Sequence, residues 1–162
     1  MITLPNSPDL KFLFKHPANF LALGFGSGLA QKAPGTFGTI VGLPLYWLLS
    51  GYTFYIQLLL ITIAFIAGIY ICDVAGKLIG VSDHGSIVWD EIVAMMLVLT
   101  ITPNTFIWWI VAFLLFRLFD IWKPFPINLC DAKLKGGFGV MIDDLIAAFY
   151  AMIIIKVTLW IL

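Results

Sequence analysis

The sequence predicts an all-α fold: a small integral membrane helical bundle with several short or re-entrant helices and polar loops converging on the cytoplasmic face. Three observations carry this expectation. Of 162 residues, 62% are hydrophobic and only 11% are charged, where a soluble domain carries roughly 25% charged residues; the mean hydropathy is +1.05. Residues 54–72 form an apolar run of the length a bilayer span needs. The charges gather in the stretches 30–39, 73–90 and 120–144, while the candidate hairpin tips 50–53 and 103–105 carry none.

The chain is taken as one domain over residues 1–162, with 1–19 as a cytoplasmic lead-in that holds Pro5, Pro8 and Pro17 and a short interfacial helix near Leu10–Lys15. Its apolar run is too short for a signal peptide, being broken by Lys15, His16 and Pro17. Residues 20–29 are apolar but carry Gly24, Gly26 and Gly28. No strand precedes them, so this is not a dinucleotide fingerprint. Small residues there suit close helix packing, or a backbone that approaches a ligand. Ala33-Pro34-Gly35-Thr36-Phe37-Gly38-Thr39 reads as a loop of breakers and hydroxyls whose free N–H groups suit a phosphate.

A short apolar segment follows at 40–49, then the span at 54–72. Segments 87–102 and 105–119 are joined by Pro103-Asn104, a turn signal, and are expected to form a helical hairpin with arms short for a span. The last span is 145–162, with a single Lys156. Two hairpins place the three charged stretches on one side. Lys32, Lys77, Lys123, Lys133 and Lys135 lie there, which makes that side cytoplasmic by the positive-inside rule.

Nine basic and nine acidic residues cancel, leaving no basic field for nucleic acid. Cys72 and Cys130 have no metal-ligand spacing and are expected as free thiols. The candidate chemistry lies in two acidic doublets, Asp90-Glu91 and Asp143-Asp144, each heading an apolar run. The helix dipole explains one acid at such a place. It explains two neighbours poorly, because they repel unless a cation shares them. Consecutive helical residues point about 100° apart, so one acid per doublet is expected to face the site directly. Hard oxygen ligands select Mg2+, and no Cys/His cluster suggests zinc.

Arg117, Asp120 and Lys123 recur at spacings of three on one helix face. They read either as a salt-bridge row or as an anion clamp, with the guanidinium fork taking two phosphate oxygens and Asp120 as a further acidic ligand. His84, just ahead of the first doublet, is a candidate general acid or phosphate contact. Ser27, Thr36 and Thr39 are candidate substrate contacts. Gly136-Gly137-Phe138-Gly139 reads as a tight turn close to a ligand. His16 is given no role.

The blocks Gly24-Phe25-Gly26-Ser27-Gly28-Leu29, Ala33-Pro34-Gly35-Thr36-Phe37-Gly38, Asp83-His84-Gly85-Ser86-Ile87-Val88-Trp89-Asp90-Glu91, Arg117-Leu118-Phe119-Asp120-Ile121-Trp122-Lys123-Pro124-Phe125-Pro126 and Gly136-Gly137-Phe138-Gly139-Val140-Met141-Ile142-Asp143-Asp144 resemble, in order, the signature blocks of the phosphatidylglycerophosphatase A family. Lys32 is not part of that pattern. The resemblance implies a magnesium-dependent enzyme of the bacterial inner membrane that removes the terminal phosphate of phosphatidylglycerophosphate and leaves phosphatidylglycerol. Asp90, Glu91, Asp143 and Asp144 would then serve metal and catalysis, with Arg117, Asp120 and Lys123 beside them.

Other classes fit less well. A lipid alcohol phosphotransferase needs an Asp-Gly-x-x-Ala-Arg block, and a phosphatidic-acid-type phosphatase needs a Lys-x6-Arg-Pro block with catalytic histidines; neither block is present. A small multi-pass ion or metal transporter also places acids beside spans, but near mid-bilayer on broken helices. Here both doublets are expected at span ends.

Overall fold

The computed structural model describes residues 8–162, so the first part of the expected lead-in, including Pro5, lies outside the described residues. The described residues form helices and no strand. Helix α1 spans Leu10–Lys15, as expected, and the Asp9 carboxylate caps it by accepting from the Phe12 N–H at 2.7 Å. Pro17 forces His16 into an extended conformation, which ends α1. Pro17 then opens α2 (Pro17–Ala22), and His16 Nδ1 accepts from the Ala18 N–H at 3.1 Å. His16 thus acts as a helix cap.

The glycine-rich stretch that follows is a kinked 3-10 turn, Gly24–Leu29, with Gly24, Phe25 and Gly26 at positive φ. The reversal brings the Ala22 carbonyl to the Val88 N–H at 2.8 Å, and a side chain at Gly28 would strike the Ser86 carbonyl. These glycines serve backbone-to-backbone packing against the segment that leads into the first acidic doublet.

Helix α3 (Pro34–Leu49) corrects the expected loop at 33–39. Its breakers sit where a helix tolerates them: Pro34 occupies the first turn, where its missing N–H costs nothing. Gly35, Gly38 and Gly42 share one face and abut Glu91, Val88 and Met95. Helix α4 (Phe54–Ile79) contains the predicted span and runs further, taking in Asp73 and Lys77, until Gly80 caps it in the left-handed conformation. Helices α5 (Trp89–Leu99) and α6 (Phe106–Trp122) form the predicted hairpin about Pro103-Asn104. The short α7 (Ile127–Lys133) leads into α8 (Gly136–Ile161).

Helix α8 begins well before the expected 145, so Gly136-Gly137-Phe138-Gly139 is its first turn. Tertiary contact outweighs the low helix propensity of glycine here: a Cβ on Gly137 would land on the Ile69 carbonyl oxygen of α4. Gly68 of α4 likewise faces Met141 and Trp89. The α4–α8 crossing is therefore a glycine contact of the kind used between membrane helices. Gly137→Ala is expected to destabilise the protein by about 1–3 kcal/mol, because backbone cannot rotate out of the way. Gly51→Ala, with nothing within 4 Å of its Cβ, is expected to change stability by less than about 0.5 kcal/mol. Denaturant titration of both variants in detergent micelles checks the contrast.

Helix α5 is the centre of the bundle. Every residue from Ile92 to Leu99 is buried, and α3, α4, α6 and α8 all pack on it. At 11 residues it rises only about 16 Å, too little to cross a hydrocarbon core of about 30 Å. Helices α4 and α8, at 26 residues each, are long and apolar enough to cross. Their outward residues, such as Tyr55, Ile63 and Ile66 on α4 and Ile153 and Val157 on α8, are exposed, which suits lipid and not water.

Candidate metal and active site

Asp90 and Glu91 occupy the first turn of α5. The Trp89 indole N–H donates to the Ala64 carbonyl at 3.1 Å and fixes that turn against α4. Asp144 lies in α8, and ligand oxygens of Asp90, Glu91 and Asp144 fall within 4.8 Å of one another. Two helices distant in sequence thus bring the first predicted doublet and one member of the second to one point.

The expectation that every doublet begins a helix holds for the first and fails for the second. Because α8 starts at Gly136, Asp143 and Asp144 stand about two turns inside it, beyond the reach of the helix dipole. The expectation of one facing acid per doublet fails for the first, where both join the cluster, and holds for the second. Asp143 turns aside, and its carboxylate accepts from Lys123 Nζ at 2.7 Å.

Arg117 reaches the cluster from α6. It pairs with Asp120 one turn on, lies 3.9 Å from Glu91, and donates through Nη1 to the Thr39 hydroxyl at 3.3 Å. Asp120 adjoins both Glu91 and Asp144. Two of the four neighbouring carboxyl groups, Glu91 and Asp120, thus pair with one guanidinium in a buried setting, and Asp90 and Asp144 complete the group. Asp90 Oδ1, Glu91 Oε2 and Asp144 Oδ2 are buried without a hydrogen-bond partner, as is Arg117 Nε. Buried carboxylate oxygens left unpaired are costly, and a hard divalent cation among them would satisfy all three. The donor set, oxygen only and convergent, fits such an ion.

The remaining predicted residues divide. Thr39 is fully buried; its hydroxyl donates to the Gly35 carbonyl at 2.8 Å and accepts from Arg117, so it holds the guanidinium in place. Thr36 is half-buried in the first turn of α3. The Ser27 hydroxyl is buried and unpartnered beside Gly24. Lys123, at the end of α6, bridges Asp131 at 2.8 Å and Asp143. Partial burial works against its charge, but the two carboxylates outweigh that and hold it above the ordinary lysine range. His84 lies in the turn ahead of α5, where Nδ1 accepts from the Ser86 N–H at 3.2 Å; it is not among the three clustered ligands. Cys72 and Cys130 are free thiols, as expected.

Sequence reasoning missed two positioning residues. Gly35 brings α3 so near that a Cβ there would overlap Glu91 Oε1; Pro34-Gly35-Thr36 carries the signal, but its breakers read as a loop. Trp89 anchors the acidic turn through its indole N–H, a contact that nothing in the sequence signals.

An apolar helical bundle with a buried acidic centre defines a class, that of small membrane proteins with a polar site of clustered carboxylates. Within it, the chain belongs to the phosphatidylglycerophosphatase A family, whose family model matches residues 20–159. It is 47% identical to the phosphatidylglycerophosphatase A of Haemophilus influenzae, with 93% of each chain covered. It is 38% identical to that of Escherichia coli over 91% of this chain and 88% of the relative. It is also 36% identical to a putative phosphatidylinositol-3-phosphatase of Bacteroides thetaiotaomicron, over 88% of this chain and 93% of the relative. No solved structure matches it.

Proposed function

We propose that this protein hydrolyses the terminal phosphomonoester of phosphatidylglycerophosphate, releasing phosphate and leaving phosphatidylglycerol, as one domain over residues 1–162 in the bacterial inner membrane. The observation that carries the reading is the convergence of Asp90, Glu91 and Asp144 with their unpartnered buried oxygens, in a chain whose relatives are named for that activity. Asp90, Glu91 and Asp144 hold Mg2+, with Asp120 beside them. When bound, the ion supplies charge neutralisation and polarisation of a phosphoryl oxygen.

The chain's own residues do the rest. Arg117, steadied by Thr39 and Asp120, offers N–H groups to the phosphoryl oxygens, where charge spreads in the transition state. Lys123 holds Asp143 in place and adds positive charge at the rim. Proton transfer falls to one of the acids or to His84. Ser27 and Thr36 line the approach of the headgroup. The polar stretches with Lys32, Lys77, Lys123, Lys133 and Lys135 face the cytoplasm, and α4 and α8 cross the bilayer in a multi-pass arrangement.

The transporter alternative loses the discriminator it was given, since Asp143 and Asp144 are not at a helix end. Family membership decides for the enzyme. The test is phosphate release by purified protein from phosphatidylglycerophosphate in mixed micelles. Release is expected with Mg2+, loss after chelation, and return on adding Mg2+ back. No release with Mg2+ would refute the activity, and undiminished release after chelation would refute the metal. Phosphatidylinositol 3-phosphate, run in parallel, is expected to be the poorer substrate; if it is the better one, the headgroup assignment is wrong.

A further inference from the structure

Beyond their glycine contact, α4 and α8 part, and a cavity of about 430 Å³ opens between them with α5 as its floor. Val93, Ala94 and Leu97 form that floor, while Leu58 of α4 and Phe149 of α8 are on its lips; both lip residues are exposed. The lining holds three polar side chains: Thr62, Thr100 and Asp90. The two threonine hydroxyls are already spent, donating to the Leu58 carbonyl at 2.7 Å and the Leu97 carbonyl at 2.6 Å. Asp90 is left as the one side chain with a free polar atom, and it belongs to the acidic cluster. The groove is thus hydrocarbon-like along its length and joined to the acidic site at one end.

Its dimensions select an occupant. From Asp90 to Thr100 along α5 is about 15 Å, half of a hydrocarbon core of about 30 Å, which is the depth of one leaflet. A further protein helix of that length, about 10 Å across, would need on the order of 1,000 Å³, more than the groove offers. One alkyl chain suits both the volume and the depth.

We propose that this groove is an acyl-chain subsite: it takes one fatty-acyl tail of the lipid substrate and so delivers the headgroup phosphate to Asp90, Glu91 and Asp144. This rests on the phosphomonoesterase reading for its purpose, but the lipid contact can be measured without turnover. A phosphatidylglycerol carrying a mid-chain diazirine, photolysed with the protein in vesicles, is the probe. Label is expected on α5, at Val93, Ala94 or Leu97, which other helices shield from bulk lipid. Label confined to outward residues such as Ile63 and Ile66 of α4 would overturn the proposal, whatever the enzyme does.

The kinetic counterpart uses the groove's exposed wall, where a larger side chain need not disturb folding. Thr62→Trp and Leu58→Trp are expected to lower kcat/KM for long-chain phosphatidylglycerophosphate by at least about tenfold, while a dihexanoyl analogue is turned over as by the parent protein. Ile66→Trp, on the outer face of α4, is expected to change neither. Equal effects of groove filling on both chain lengths, or no effect on either, would overturn the subsite. Normal turnover of the short analogue in every variant would leave the active-site reading standing. Absence of turnover in the parent protein would sink that reading alone, because the photolabel decides the groove.

Discussion

Asp144→Asn is expected to reduce phosphate release by at least about 100-fold, since even residues one shell removed from a metal typically cost 10–100-fold. Asp90→Asn and Glu91→Gln are expected to do the same. All three lose one of the oxygens that converge within 4.8 Å. Asp90→Asn and Asp144→Asn also remove a carboxylate that burial and its neighbours make costly, so the folded protein is not expected to suffer; Glu91→Gln removes one of the two acidic partners of Arg117 and is expected to cost some stability. Asp143→Asn is the informative contrast. Its carboxylate lies on Lys123, not among the three ligands, so it is expected to weaken Mg2+ dependence less than Asp144→Asn does. The measurement is kcat/KM as a function of Mg2+, with circular dichroism to confirm the fold. Parent-like activity in Asp144→Asn would dispose of the metal centre.

Arg117→Ala is expected to fail in two ways. Loss of the guanidinium removes a donor from the phosphoryl group, on the order of 10²–10³-fold in kcat by comparison with other preorganised donors. It also leaves Glu91 and Asp120, whose side chains are only 13% and 11% exposed, without their counter-charge. Breaking a buried pair from one side costs about 3–5 kcal/mol. Arg117→Lys separates the two. The charge remains, so stability is expected to recover most of its loss. The planar fork that serves Thr39 and Asp120 together does not remain, so kcat is expected to stay low. A Lys variant with parent-like kcat would show that Arg117 supplies charge alone.

What the sequence disclosed and what it hid follow a physical line. Signals carried by the local backbone were legible. Pro17 ended α1, Pro103-Asn104 turned the hairpin, and the apolar run 54–72 marked α4. Signals that depend on a partner helix were not. Gly35, Gly38 and Gly137 are breakers by composition, yet each lies inside a helix with a segment from another helix pressed against it. Misplacing the start of α8 also misplaced Asp143 and Asp144 along it. The acidic residues themselves were legible as a group, because paired charges in so apolar a chain demand a partner. Which acid turns inward was not, since that is decided by Lys123 at the end of a different helix.

The acidic centre takes Asp90 and Glu91 from α5 and Asp144 from α8, the last helix of the chain. If these three acids hold the ion, a molecule in which α8 has not yet docked along α4 through Gly137 is expected to be inert toward lipid. A turnover assay would then double as a census of molecules in which α8 is seated.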